Sequence, residues 1–408
     1  MPEAQSQSTS GLRRRLGLPL LVLYGVGITI GAGIYVLIGA VAGRSGIHSH
    51  WAFVIAAVVM ALTVASYAEM ATRYPVSAGE AAYVRAAFHS RTLSTATGLL
   101  SLVTGIVAAA AVTLGGVGYV RQVMALPPAY LAVAIVLILG VVAAWGILES
   151  VVLAGLFTLI ETGGLVLLIA AAVHSDISFA PMLLSVPPIS APVLSGIAFS
   201  SLLAFFAFVG FEDLANIVEE AKLPHRDIPL AMLLTLLITS VLYVLVAAVA
   251  VSAVAPAELA GSAAPLSLVF RKVAGISPAT FNAIAVVATL NTILAQMTMA
   301  ARVVYGMARQ GDLPKMLGRV DARTGTPLIA TALVMAMVMV LALAFPLERL
   351  AEGTSIATLA TFALVNLSLL RIKARGIVSD APHIRVGAWV PALGLATCLL
   401  MIATSLLG

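Results

Sequence analysis

Long apolar runs recur through the whole chain, and they limit its possible folds more than any other feature. They lie at about residues 19–43, 51–72, 95–120, 129–147, 150–173, 194–218, 229–254, 279–308, 328–346, 351–371 and 387–407. Most are close to the ~20 residues that an α-helix needs to cross a bilayer. The connections are short and carry Pro, Gly, Ser and charged residues. The sequence therefore predicts an all-α polytopic membrane protein with about eleven transmembrane helices.

The composition and the charge distribution agree with this class. Hydrophobic residues make up 61% of the 408 and charged residues 10%, whereas soluble domains are about 25% charged. With the N-terminal tail (1–18) in the cytoplasm, most of the 22 Lys and Arg residues fall in inner segments, as the positive-inside rule requires. The net charge of +5 is therefore no sign of nucleic-acid binding. We expect a multi-pass protein of the cytoplasmic membrane with its N-terminus inside.

The first apolar run contains an unusual concentration of glycine. Residues 25–35 read Gly-Val-Gly-Ile-Thr-Ile-Gly-Ala-Gly-Ile-Tyr, and each glycine costs a helix about 1 kcal/mol relative to alanine. One interpretation is a broken helix whose freed amides and carbonyls face a ligand, because hydrocarbon offers them no partner. The other is a close helix–helix contact through small residues.

The sixth run is a second candidate for a broken helix. Gly210 stands among aromatic residues and is followed by Glu212 and Asp213 near the middle of the run, where a straight lipid-facing helix would not carry two acids. The two interrupted runs lie five spans apart, and an odd offset inverts the second copy. The sequence thus predicts inverted repeats over 19–174 and 194–372, with 387–408 as an extra helix, and this pairing favours a break in the first run.

Two such breaks side by side define a class of ligand. Where a helix breaks, its downstream half presents unpaired amides and the positive end of its dipole, and its upstream half presents unpaired carbonyls. Amides suit a carboxylate, and carbonyls suit an ammonium group. The pattern therefore predicts a site for a zwitterion such as an α-amino acid.

Some polar residues inside the runs allow two interpretations each. Glu161, near the middle of the fifth run, is either hydrogen-bonded to a neighbouring helix or part of a proton or cation site. Asn291 and Gln296 in the eighth run either line the interior or join helices.

Charged residues near the inner end of the second run have one interpretation each. The i,i+4 spacing of Glu69 and Arg73 predicts an ion pair on one helix face. Glu80 and Arg85 follow Pro75, and we interpret them as part of a solvated interfacial turn.

Five motifs, in this order and spacing, resemble the amino acid–polyamine–organocation superfamily of secondary transporters. They are Gly31-Ala32-Gly33-Ile34-Tyr35, Tyr67-Ala68-Glu69 with Pro75, Gly79 and Tyr83, Phe206-Ala207-Phe208-Val209-Gly210-Phe211-Glu212, Arg302 through Met307-Ala308-Arg309 with Gly311 and Leu313-Pro314, and Thr326-Pro327. The resemblance covers nearly the whole chain. It implies the leucine-transporter-like fold of 5+5 inverted repeats with broken helices 1 and 6.

The resemblance also implies roles for residues at the breaks. The amides of Ala32 and Gly33 would bind the substrate carboxylate, main-chain carbonyls around Thr29, Phe206 and Val209 would bind the amino group, and the Phe206 ring would gate the site. The full set expected to bind substrate is Thr29, Ile30, Gly31, Ala32, Gly33, Phe206, Ala207, Phe208, Val209 and Gly210. Glu161 and Glu212 are expected to couple protons or another ion.

This chain departs from the superfamily pattern at two points. Many members have twelve helices, whereas this chain has room for about eleven. Proton-coupled relatives carry a lysine on helix 5 near the position of Glu161, so here the titratable group has the opposite charge.

The predicted function is secondary active transport of amino acids, proton-coupled or by exchange. The alternatives are a polyamine or organic-cation transporter and, further off, an amino acid sensor. The runs hold no Ser–His or paired-Asp site, so we expect no enzyme activity. We expect no cofactor, metal or nucleic-acid partner. The partners are the substrate, a coupling ion and the bilayer, and the sequence leaves the oligomeric state open.

Overall fold

The computed structural model describes residues 16–76, 79–145, 151–321, 323–379 and 381–407, and its regular elements are helices. Residues 1–15 of the predicted cytoplasmic tail lie outside these ranges. The helices of the first half are α1 Leu18–Ile30, α2 Gly33–Ser45, α3 Ser49–Arg73, α4 Gly79–Phe88, α5 Arg91–Val120, α6 Pro128–Trp145, α7 Val151–Val173 and α8 Ala180–Leu183.

The second half continues in the same way after the loop that follows α8. Its helices are α9 Ala191–Phe206, α10 Asp213–Asn216, α11 Pro224–Ala253, α12 Pro256–Ala260, α13 Pro265–Ala274, α14 Ala279–Gln310, α15 Leu328–Ala344, α16 Leu347–Ala374 and α17 Trp389–Leu407.

The apolar helices account for the predicted membrane spans. By length and composition, seven described helical stretches can cross a membrane, and four shorter apolar helices accompany them. The stretch Gly33–Arg73 holds the second half of span 1 together with span 2, and the short helix Leu18–Ile30 supplies the first half of span 1. Within the described residues, each predicted apolar run therefore corresponds to helix, interrupted in the first and sixth runs.

Two spans are broken, at the places that the sequence indicates. In span 1 the chain leaves the helix at Gly31, which has a φ of +32°, and enters α2 at Gly33. In span 6, α9 ends at Phe206 and α10 begins at Asp213, with turns between them. The broken-helix interpretation is confirmed for both spans.

An aromatic cluster holds the second break in place. The rings of Phe211 and Tyr67 lie edge-on at 5.4 Å between centroids, and those of Phe211 and Phe362 at 5.3 Å. Phe205, the next-to-last residue of α9, packs on Phe362 at 5.9 Å. Edge-to-face pairs add ~0.5–1.5 kcal/mol each beyond the area they bury. The cluster thus fixes the unwound segment of span 6 against α3 and α16.

A buried ion network joins the ends of α3 and α16. Glu69 is fully buried and accepts hydrogen bonds from Arg73 Nε at 2.7 Å and from Lys373 Nζ at 2.7 and 2.9 Å. The amide of Val386 donates to Glu69 Oε2 at 2.7 Å. The predicted Glu69–Arg73 pair is confirmed, and Lys373 and Val386 extend it to the segment that leads into α17.

Candidate functional site

The break in span 1 leaves two amides without a helical partner. α2 begins at Gly33, and the first amides of a helix have no acceptor within it. Among the described residues, neither the Ala32 nor the Gly33 amide donates to a backbone carbonyl. This is the positive end of the α2 dipole, where an anionic group is stabilised.

The break in span 6 depends on glycine and on a nearby carboxylate. Gly210 has a φ of +127°, a region that residues with a Cβ rarely occupy. Its amide donates to Glu212 Oε2 at 2.8 Å. Glu212 therefore stabilises the unwound backbone of its own segment, in addition to any part it has in ion coupling.

The two breaks are in direct contact. A Cβ added at Gly33 would lie 2.6 Å from Ala207 Cα, and one added at Gly210 would lie 2.6 Å from Ile28 Cγ2. The unwound segments therefore cross with backbone against backbone, and residues of both segments line one small volume.

A narrow cavity of about 20 Å³ lies at this crossing. It is lined by Ile28, Thr29, Gly31, Ala32, Gly33, Ala108, Val112, Phe206, Ala207, Val209, Thr292 and Gln296. No side chain in this set carries a formal charge. The volume suffices for about one water molecule, so an amino acid can enter only if the surrounding segments move apart.

The structure brings together most of the residues predicted to bind substrate. Seven of the ten line the narrow cavity, and Gly210 lines the wider one described next. Ile30 and Phe208 line neither cavity and are fully buried. The Phe208 ring packs edge-on against Tyr243 at 4.9 Å, so it supports the site from behind.

A wide vestibule of about 810 Å³ adjoins the narrow cavity on the side predicted to be cytoplasmic. Val209 and Gln296 line both spaces. Gln296 thus lines the interior, one of its two predicted roles. The vestibule wall also carries the acids Glu212 and Asp213 and the base Arg302.

The interpretation of Glu80 as part of a solvated turn is wrong. Its side chain is 8% exposed, and Tyr67 Oη donates to its Oε1 at 3.1 Å. Burial raises the pKa of Glu80 above its usual range, because the charged form loses hydration. The reason is that α4 packs against α5 and α16 rather than lying on the surface, so one of its faces points inward. Arg85 is exposed, as predicted.

The opposite end of the site is closed by helix packing and by an ion pair between two side chains. Arg44, near the end of α2, lies 2.5 Å from Glu352 on α16. A Cβ at Gly39 would meet the Leu259 carbonyl at 2.5 Å, so α12 lies directly on α2. Tyr119 Oη donates to the Tyr35 carbonyl at 2.6 Å. These contacts tie α2 to α5, α12 and α16.

Glu161 lies apart from both cavities, between α7 and α14. It is fully buried, and Asn291 Nδ2 donates to its Oε1 at 2.9 Å. Its Oε2 has no hydrogen-bond partner among the described residues. Tyr35 Oη donates to the Glu161 carbonyl at 2.6 Å, which ties this turn of α7 to α2. Asn291 thus joins helices, and the hydrogen bond predicted as one alternative for Glu161 is present.

Tyr243 belongs to the site, although sequence reasoning missed it. Its Oη lies 2.9 Å from the Thr29 carbonyl oxygen and 2.8 Å from that of Ala207, one on each broken span. The one signal for Tyr243 in the sequence is that it is the only tyrosine in the apolar run of span 7, and it matched no motif.

The Phe206 carbonyl, which is predicted to bind the amino group, already has a donor in the structure. It accepts a hydrogen bond from the Val209 amide at 3.1 Å.

Comparison with known proteins finds amino acid permeases and other transporters along nearly the whole chain. A family model described as amino acid permease matches residues 16–407. The branched-chain amino acid permease BcaP of Bacillus subtilis is 28% identical over 98% of this chain and 90% of its own length. An uncharacterized transporter of Mycobacterium tuberculosis is 33% identical over 96% of this chain and 86% of its own length.

A relative from Arabidopsis thaliana is named for a different substrate class. Cationic amino acid transporter 3, mitochondrial, of Arabidopsis thaliana is 29% identical over 89% of this chain, which spans 63% of that relative's length. The matches cover both broken spans and the helices around them. The chain therefore belongs to the amino acid permease family, within the amino acid–polyamine–organocation superfamily.

Proposed function

We propose that this protein carries neutral, apolar amino acids across the cytoplasmic membrane by alternating access. The observation that carries the proposal is the contact between the two breaks, at Gly33 against Ala207 and Gly210 against Ile28. The free amides of Ala32 and Gly33 suit the substrate carboxylate. The carbonyls of the unwound segments suit its ammonium group.

The lining of the narrow cavity supports a neutral substrate. Ile28, Ala108, Val112 and Phe206 offer apolar surface, and a cationic side chain placed among them would lose its hydration without gaining a counter-charge. The Bacillus relative named as a branched-chain permease agrees with this class. In our proposal the Phe206 ring gates the cavity.

The shape of the two cavities supports a direction for release. The vestibule opens on the predicted cytoplasmic side, while α12 and the Arg44–Glu352 pair cover the other side. We assign this arrangement to the inward-facing state of a carrier with its N-terminus in the cytoplasm. Substrate would leave past Val209 and Gln296, which line both spaces.

Glu161 and Glu212 are the proposed coupling groups, with a proton as the coupling ion. Glu161 has one oxygen without a partner and is tied to α2 by Tyr35. In our proposal, protonation of the Glu161 carboxyl group changes the charge between α7 and α14, at the turn of α7 that Tyr35 ties to α2. The proposed mechanism assigns residues 19–174 and 194–372 to two inverted repeats. Residues 387–408 lie outside both repeats.

Uptake by proteoliposomes tests the proposal. The purified protein should accumulate or exchange labelled leucine, and unlabelled neutral apolar amino acids should compete more strongly than lysine, arginine or putrescine. Stronger competition by the cationic compounds would contradict a neutral substrate and indicate a cationic one. Saturable binding without accumulation or exchange would indicate a sensor, and the transport proposal would be wrong.

A further inference from the structure

The Tyr243 hydroxyl lies among more acceptors than it can satisfy. It is within hydrogen-bond distance of the carbonyl oxygens of Thr29 at 2.9 Å, Ala207 at 2.8 Å and Ile30 at 3.3 Å. A phenol has one proton to donate, and a carbonyl has none. Three acceptors thus share one donor in a fully buried place.

This group of oxygen atoms is better matched by an ammonium group than by a phenol. An ammonium group has three N–H donors and a positive charge, and hydrogen bonds from a charged donor are about twice as strong as neutral ones. In hydrocarbon, a carbonyl without any donor is costly. When no substrate is bound, Tyr243 is the side-chain donor that the structure provides for these carbonyls.

The ring of Tyr243 is held by its neighbours, and the hydroxyl joins two segments. Phe208 packs on the ring at 4.9 Å and Phe53 at 5.7 Å, both edge-on. The Thr29 carbonyl belongs to the end of α1, and the Ala207 carbonyl belongs to the unwound part of span 6. The one hydroxyl proton on α11 is therefore shared between carbonyls of both broken helices.

We propose that the Tyr243 hydroxyl takes the place of the substrate ammonium group in the empty carrier and holds the two unwound segments together while that carrier returns. This inference rests on the proposed function of the site. Tyr243 is thus a positioning residue: substrate displaces its hydroxyl from the carbonyls, and release of substrate restores it.

The proposal separates two modes of transport. Net uptake requires the empty carrier to return, whereas exchange returns a loaded carrier in which the substrate ammonium satisfies the carbonyls. Tyr243→Phe removes one oxygen atom and keeps the ring. We expect net leucine uptake to fall about tenfold more than exchange does, the effect of ~1.4 kcal/mol on a barrier, and the KM for exchange to fall.

Tyr119→Phe is the matched control. It also removes one buried tyrosine hydroxyl, whose acceptor is the Tyr35 carbonyl at 2.6 Å, within the regular helix α2 rather than in an unwound segment. The control should change net uptake and exchange by the same factor. An equal loss of both modes in Tyr243→Phe, or a raised KM for exchange, would overturn the proposal.

A second measurement does not depend on the stability of that variant. With 3-fluorotyrosine incorporated at position 243, the fluorine resonance should shift when leucine is added and stay unchanged with 4-methylpentanoate, which lacks the amino group. No shift with leucine, or equal shifts with both compounds, would overturn the role of Tyr243. Wild-type protein that neither accumulates nor exchanges any amino acid would instead refute the proposed function, and the inference would fall with it.

Discussion

At the scale of single residues, the buried carboxyl group of Glu161 is the centre of the proposed coupling to protons. It lies inside the membrane with Asn291 on one oxygen and no partner on the other. An intramembrane acid of this kind is costly unless it is neutral or paired. A carboxyl group that gains and loses a proton there would change the charge between α7 and α14, which a glutamine cannot do.

Replacing Glu161 by glutamine should therefore uncouple transport from the proton gradient. Glutamine keeps the hydrogen-bonding length but has no titratable proton. We expect Glu161→Gln to lose the stimulation of leucine uptake by an inward pH gradient and to retain exchange at equal pH. Glu258→Gln, at an exposed position of α12, is the control and should respond to the gradient as wild type does. A full response to the gradient in Glu161→Gln would show that Glu161 does not couple transport to protons.

Sequence reasoning at this scale succeeded where chemistry alone determines the outcome. Glu161 stands in the middle of an apolar run, so its burial could be predicted. The burial of Glu80 could not be predicted, because it depends on how α4 packs against α5 and α16. Tyr243 was missed for a related reason: a tyrosine in an apolar run is ordinary, and its acceptors come from two distant segments.

At the scale of helices, the site depends on the crossing of two unwound segments. Glycines and the Glu212-Asp213 pair were enough to predict where both spans break. The length of the second break, from Phe206 to Asp213, was not predictable. It is set by the packing of Phe211 between Tyr67 and Phe362, which are remote in sequence.

A side chain at Gly33 should separate the two breaks. A Cβ there would meet Ala207 Cα at 2.6 Å, and a backbone atom cannot move aside as a side chain can. We expect Gly33→Val to abolish leucine uptake and exchange while the protein still inserts and purifies. Gly163→Val on α7 is the control, because a Cβ at Gly163 meets nothing within 4 Å. Uptake by Gly33→Val near the wild-type rate would contradict the crossing.

The ion network at the ends of α3 and α16 makes a separate prediction about stability. Glu69→Gln leaves Arg73 and Lys373 without their buried carboxylate, and breaking a buried pair in this way costs about 3–5 kcal/mol. The midpoint of thermal unfolding in detergent should fall clearly. Asp312→Asn breaks the pair with Arg91, whose side chain is 64% exposed, and should cost ~0–1 kcal/mol. Equal midpoints for the two variants would show that the buried network does not stabilise the fold.

At the scale of the whole molecule, the helices form a carrier open toward one side. The vestibule reaches the breaks from the predicted cytoplasmic face, and the cavity at the crossing is contracted to about 20 Å³. In the proposed mechanism, a substrate of amino-acid size therefore spreads the two segments when it binds. The free energy for this separation would come from the two charged groups of the substrate, because the amides and carbonyls proposed to bind them are fixed by backbone geometry.

The most direct test of this account is therefore competition by analogues that lack one charged group. Proteoliposomes preloaded with leucine would exchange labelled leucine in the presence of leucinamide, which lacks the carboxylate, or 4-methylpentanoate, which lacks the amino group. Each analogue should compete roughly 10- to 100-fold more weakly than leucine, since each loses charge-assisted hydrogen bonds worth about 1.5–3 kcal/mol. Competition by either analogue as strong as that of leucine would contradict recognition by the two breaks.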